Sequence, residues 1–98
     1  MHVLVVRGTV KAGEAAPFLA AAKDYNAARV AAGVPAYRHL VRTDNGEQEY
    51  VFVVEFADEA EIDRVEQMID AGDFAEPLAA MYRHLVADSV SAVRLREV

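Results

Sequence analysis

Apolar and polar positions alternate most regularly between Tyr37 and Phe56, in the stretch Tyr-Arg-His-Leu-Val-Arg-Thr-Asp-Asn-Gly-Glu-Gln-Glu-Tyr-Val-Phe-Val-Val-Glu-Phe. Alternation on both sides of Asn45-Gly46 predicts one β-hairpin. Asn-Gly tolerates positive φ at both central positions of a type I′ turn, so a two-residue loop is expected there. That loop would set Arg42 opposite Glu49, Val41 opposite Tyr50, Leu40 opposite Val51, His39 opposite Phe52, Arg38 opposite Val53 and Tyr37 opposite Val54. One face then carries Tyr37, His39, Val41, Tyr50, Phe52, Val54 and Phe56. The other mixes Leu40, Val51 and Val53 with Arg38, Arg42, Glu49 and Glu55, so the two faces face different surroundings.

Helical periods flank the hairpin. His2 to Val10 reads as a first strand, closed by Lys11-Ala-Gly13. From Glu14 to Ala32 a helix is expected, with Pro17 tolerated in its first turn and Phe18, Ala21, Ala22, Tyr25, Ala28 and Ala32 on one stripe. Gly33 and Pro35 stop it. After the hairpin, Asp58-Glu-Ala-Glu61 is a capping box for a helix whose inner face is Ile62, Val65, Met68 and Ile69. Gly72 ends that helix, and Asp73-Phe-Ala-Glu76 repeats the start signal for another, reaching about Ala87 with Phe74, Leu78, Met81, Tyr82, Leu85 and Val86 apolar. Ser89 to Val98 returns to strand. The order β-α-β-β-α-α-β predicts one α+β domain over residues 1–98: a ferredoxin-like, four-stranded antiparallel sheet with helices on one face.

Composition narrows the function. The chain has 98 residues, of which 54% are hydrophobic, which is rich for a small monomer and points to self-association as a homodimer. Its formal charge of −6 and its scattered basic residues argue against nucleic acid, which needs clustered Lys and Arg. The absence of cysteine excludes disulfides, thiolate nucleophiles and Cys-ligated metals. No apolar run approaches the ~20 residues of a membrane span, and no signal peptide is evident, so a soluble cytoplasmic protein is expected.

The element order at this length, with the second helical region broken at Gly72-Asp73, resembles the dimeric α+β barrel superfamily. That superfamily includes antibiotic-biosynthesis monooxygenases, heme-degrading monooxygenases, small polyketide cyclases and NIPSNAP-like proteins. The stretches Phe56-Ala-Asp-Glu-Ala and Met81-Tyr-Arg-His-Leu-Val86 are similar in style to NIPSNAP-like and monooxygenase-like members. The resemblance, from Val3 to Leu95, is one of plan and implies two sheets packed face to face across a dimer axis, each protomer's pocket lying between its own sheet and helices. Leu4 and Val6, with Val93 and Leu95 of the last strand, would then join the aromatic face beneath the helices. Arg7, Arg38, Arg42, Glu49, Glu55, Arg94 and Arg96 would lie at or near the dimer interface. A fold of this kind fixes no reaction by itself.

His39 is the first candidate for chemistry, since an imidazole of reference pKa ~6.5 on the aromatic face could act as general base; the competing reading is a packed core histidine. Tyr25 and Asn26 on the first helix could present polar groups to a ligand, or find local partners instead. Tyr37, Tyr50, Phe52, Met81, Tyr82 and His84 are the candidate substrate-binding residues. His84 lies near the position from which heme-degrading relatives present an iron ligand. Those relatives pair it with an asparagine on the first strand and a tryptophan on the third, and this chain has neither. An exposed helical histidine is the plainer reading. The histidines at 2, 39 and 84 lack metal-ligand spacing, and neither a nucleophile elbow nor a phosphate-cradling Gly-rich loop is present.

What the family implies is a flat, largely apolar, polyketide-like phenol or quinol held between sheet and helices. A cofactor-independent monooxygenase or cyclase is the expected enzyme, with His39 as base, Tyr25, Tyr37 and Tyr82 orienting the substrate and Asn26 hydrogen-bonding the developing anion. No cofactor and no metal is expected. The competing expectations are a non-catalytic NIPSNAP-like binding or assembly protein and a heme-binding protein using His84.

Overall fold

A computed structural model describes all residues, 1–98. The chain runs β1 (His2–Thr9), α1 (Ala15–Ala31), β2 (Arg38–Val41), β3 (Glu49–Phe56), α2 (Glu59–Asp70), α3 (Ala75–Tyr82) and β4 (Ser91–Arg96). The strands form one antiparallel sheet in the order β2-β3-β1-β4, the ferredoxin-like plan. Because β1 and β4 pair from His2 opposite Arg96 to Arg7 opposite Ser91, the first and last strands lie side by side.

Backbone chemistry accounts for the helix ends. α1 stops in a Schellman motif: Gly33, at φ 73°, donates to the Val30 carbonyl, Val34 donates to that of Arg29, and the Val34 side chain is buried. α2 begins at Asp58, whose carboxylate accepts from the Glu61 amide at 2.9 Å, while the Glu61 carboxylate accepts from the Ala57 amide at 3.0 Å. It ends in a second Schellman motif, with Gly72 donating to Ile69 and Asp73 to Met68.

That ending corrects one expectation: the Asp73 amide is consumed in closing α2, and the buried Phe74, not Asp73, occupies the N-cap position of α3. α3 is also shorter than the apolar pattern suggests, stopping at Tyr82. His84 and Leu85 lie in the turn beyond, where Leu85 bridges to Val10 and the Val86 amide donates to Thr9. The hairpin keeps the expected register, but its loop is not a type I′ turn. Thr43–Asn45 form one turn of 3-10 helix, and Gly46 and Glu47 take the left-handed conformation at φ 77° and 61°.

The core lies between one sheet face and the helices. Val6, Tyr50, Phe52, Val54 and Phe56 from the sheet pack with Phe18, Ala22 and Tyr25 of α1, Ile62 and Val65 of α2, and Phe74, Met81 and Leu85. β4 corrects the sequence reading in phase. Val93 and Leu95 pair with Val5 and Val3 on the open face and are about half exposed, at 51% and 52%. Arg94 is paired with Leu4 on the helix side, where its guanidinium bonds Asp63 at 3.2 Å and Glu66 at 2.7 Å of α2; Arg96, opposite His2, shares that side. On the open face, Arg7 meets Glu49 at 2.6 Å and Arg42 lies 3.6 Å from the same carboxylate. The Arg7 hydrogen bond is the main reason that the Glu49 carboxyl is held below its usual pKa.

Candidate functional site

Aromatic rings cross the core as a connected series. Phe52 on β3 is its junction: ring centroids lie 5.0 Å away at His39, 5.7 Å at Phe18 and 5.8 Å at Tyr37. From Phe18 the series reaches Tyr50 at 4.9 Å, and from Tyr37 it reaches Tyr25 and then Phe74, each step 5.8 Å. The strand period places Tyr37 and His39 on the same face as Phe52's side of β3, and the 3.6-residue period of α1 lays Phe18, Ala22 and Tyr25 over them.

His39 sits at the solvent end of this series. It is half-buried, edge-on to Phe52, and burial lowers its pKa below the ordinary histidine value, which favours the neutral imidazole. With Leu19, Leu40, Val41, Glu47 and Tyr50 it lines a cavity of about 120 Å³. The Tyr50 phenol is pushed up, first by burial and then by the Glu47 carboxylate, so it remains a neutral hydrogen-bonding group. An engineered cavity of roughly 150 Å³ holds a benzene, so this notch has room for about one ring. It is well short of the ~300 Å³ of an ordinary ligand pocket.

The other candidates divide between the two ends of the series. Tyr25 and Tyr37 stand together at the far end. Burial, then the nearby Tyr25 and Tyr82 hydroxyls, raise the Tyr37 pKa, the neighbouring Arg29 opposing them; Tyr82 is raised by burial and then by Tyr25. Asn26 is committed to the backbone of Tyr37, its amide donating to the Tyr37 carbonyl and accepting from the Tyr37 N–H, both at 2.8 Å. Met81 is a core residue and Tyr82 is 43% exposed. His84 is remote from His39 in role: its Nδ1 lies 2.9 Å from a Glu14 carboxylate oxygen, tying the turn after α3 to the start of α1. No three His, Asp or Glu side chains gather as a metal site, and no helix is long and apolar enough to cross a membrane.

Two residues escaped the sequence reading. Glu47 joins His39 and Tyr50 only because of the left-handed turn at the hairpin loop. Arg29 is fully buried beneath Tyr25 and Tyr37, with its guanidinium carbon 4.4 Å from the Tyr37 ring centre. The signal for Arg29 was present: Phe18, Ala22, Tyr25 and Arg29 are spaced 4, 3 and 4 apart, and Arg29, not the exposed Ala32, continues the stripe.

Comparison with known proteins agrees with this fold. The structure superposes on a solved antibiotic biosynthesis monooxygenase at TM-score 0.78, with 16% identity over 100% of this chain and 99% of that one. A NIPSNAP domain protein from Burkholderia xenovorans gives TM-score 0.78 at 15% identity, covering 100% of this chain and 95% of that chain. SnoaB, a cofactor-independent oxygenase from Streptomyces nogalater, gives 0.76 at 15% identity over 98% and 91% of the two chains. At such identities the likeness is one of fold. No curated protein sequence matches the chain. The model of the family described as Antibiotic biosynthesis monooxygenase matches residues 1–77, from β1 into α3, and the chain belongs to that family.

Proposed function

We propose that the protein is a homodimeric, cofactor-independent monooxygenase acting on an aromatic phenol or hydroquinone of polyketide type. The observation that carries this reading is His39: a half-buried, neutral imidazole set edge-on to Phe52 in a notch that it shares with Tyr50. Leu19, Leu40 and Val41 line that notch and are 36%, 48% and 38% exposed, so a ligand can rest one ring inside and extend outward. His39 takes the phenolic proton, and Tyr50 donates to the oxygen anion that develops. The ring carbon, made electron-rich, then bonds to dioxygen. One oxygen atom stays on the ring as a carbonyl and the other leaves as water, so phenol and dioxygen give quinone and water.

Screening polycyclic phenols and hydroquinones by oxygen uptake, with product mass, tests the reading. One-for-one uptake of oxygen with a product fourteen mass units heavier, two hydrogens lost and one oxygen gained, is the expected result. Ring closure without oxygen uptake would assign cyclase chemistry to the same base. A second reading, a non-catalytic binding or assembly protein, is favoured by the filled ring series and by the commitment of both polar atoms of Asn26 to Tyr37. Absence of turnover across the panel would favour it.

The dimer rests on the open sheet face. Val5, flanked by Val53 and Val93, lies at its centre, with Leu95, Val3, Val51 and Leu40 around it. A contiguous apolar surface of this kind is seldom left to water. Light scattering is expected to give twice the chain mass for the parent protein and the single mass for Val5→Glu, which places a carboxylate in the middle of that face. A monomeric parent protein would remove the homodimer from the reading.

A further inference from the structure

A cation without an anion lies at the far end of the ring series. Arg29 is 0% exposed, and its guanidinium has two partners, both neutral: Nε donates to the Pro35 carbonyl at 2.7 Å and Nη1 donates to the Tyr25 hydroxyl at 2.9 Å. Its Nη2 is buried and has no hydrogen-bond partner. None of the protein's ion pairs includes Arg29. The faces of Tyr25 and Tyr37, 5.4 and 4.4 Å from the guanidinium carbon, supply only cation–π attraction.

This arrangement is costly. A buried charge without a counter-charge carries a desolvation penalty of several kcal/mol, and an unmade buried hydrogen bond adds to it. Holding the Pro35 carbonyl and the Tyr25 hydroxyl needs two neutral donors, not a full positive charge. The nearby phenols are no counter-ion, because burial keeps the Tyr37 and Tyr82 hydroxyls protonated. What the cluster lacks is one anionic oxygen at Nη2. Tyr82, the last residue of α3, is 43% exposed and lies beside Tyr25 and Tyr37, its hydroxyl near enough to help raise the Tyr37 pKa.

We propose that Arg29 is the anchor for an aromatic anion, whose carboxylate or phenolate oxygen accepts from Nη2 while its ring displaces Tyr82 and packs against Tyr25 and Tyr37. The inference rests on the aromatic ligand proposed above and adds that the ligand arrives, or is held, as its anion.

The test uses 2-naphthoate and its neutral isostere 2-naphthamide, with the Arg29 Nε–H resonance as the direct readout. Saturable movement of that resonance by naphthoate is expected, with affinity about tenfold or more above the amide, the worth of one charge-assisted hydrogen bond. In Arg29→Met the preference for the anion should vanish. Replacing a buried ion by an apolar side chain of similar volume is usually tolerated, and Arg29→Lys, which keeps the charge but not the fork, should retain part of the preference. A stationary Nε–H resonance in the parent protein, equal binding of acid and amide, or an undiminished preference in Arg29→Met would each overturn the proposal. Because no turnover is read, binding at Arg29 with an inactive protein would refute the oxygenase reading and leave the anchor standing.

Discussion

Alanine in place of His39 is expected to lower turnover of a phenolic substrate by about 10²–10⁴-fold, the usual contribution of a positioned general base. His39 is the imidazole in the notch; its titratable neighbours there are the Glu47 carboxylate and the Tyr50 phenol, which burial and Glu47 keep protonated. The pH profile carries a second, independent signature. Burial holds the pKa of His39 below the ordinary ~6.5. The base acts when neutral, so kcat/KM should be level around neutrality and fall as the pH drops through that lowered value. The same shift links to folding with a definite sign: the unfolded chain takes up a proton below about 6.5 that folded His39 resists, so stability declines as the pH falls from there toward the folded pKa. His39→Ala should lose both the acidic limb and its share of that decline. Unchanged turnover in the variant, or a limb centred above 6.5, would exclude His39 as the base.

Phe52→Ala should give the largest loss of stability, about 3–5 kcal/mol. Phe52 is 3% exposed and contacts the rings of Phe18 on α1, His39 on β2 and Tyr37 just before β2, so truncation leaves a void that no single neighbour can fill. Against a typical domain stability of roughly 5–15 kcal/mol this is a large fraction, and at about 4–8 °C per kcal/mol the melting temperature should fall by about 12–40 °C. Urea unfolding should show the midpoint move with the slope preserved, as for a simple loss of native stability. Val41→Ala, at the exposed rim of the same face, is the control and should change little. A loss below about 1 kcal/mol for Phe52→Ala would mean that the ring series is not the core's keystone.

Much of this fold was legible because two periodicities dominate it. Alternation in β3 identifies its buried side and the stripe of α1 does so from Phe18 to Tyr25, and the capping box at Asp58 works as written. The hairpin register was correct although its turn was not. The pairing of Val41 with Tyr50 is set by which side chains must be buried, and the residues between Arg42 and Glu49 then bridge the gap in whatever way the backbone allows. Here that is a 3-10 turn followed by two left-handed residues, which turns Glu47 toward His39. The phase of β4 is not legible, because its apolar residues belong on either face equally well. In fact Arg94 faces the helices to reach the acidic flank of α2, and Val93 and Leu95 face the open side.

The candidate site was legible in its aromatic members and not in its charged ones. His39, Tyr25, Tyr37, Tyr50 and Phe52 form one ring series with Tyr82 at its margin, but Asn26 binds the Tyr37 backbone just before β2 and His84 pairs with Glu14. Arg29 is not legible from apolar periodicity, because a charge at a buried stripe position runs against the apolar pattern that marks the stripe. Such contradictions mark places where something other than packing has set the residue.

The lateral pairing of β1 with β4 has a consequence for how the chain comes together. These strands are adjacent in the sheet but stand at opposite ends of the sequence, with His2 opposite Arg96. During synthesis β1 therefore leaves the ribosome with one edge that stays unpaired until β4 has followed. β3 of the hairpin can pair with its other edge in the meantime, with α1 and α2 packing on the sheet face, and the sheet closes last over the long loop between Arg7 and Ser91. Loop closure of that span slows folding and leaves a Val-rich edge open to strangers while it waits. In refolding experiments, protection of the β1 amides that face β4 should accordingly lag behind protection of those that face β3.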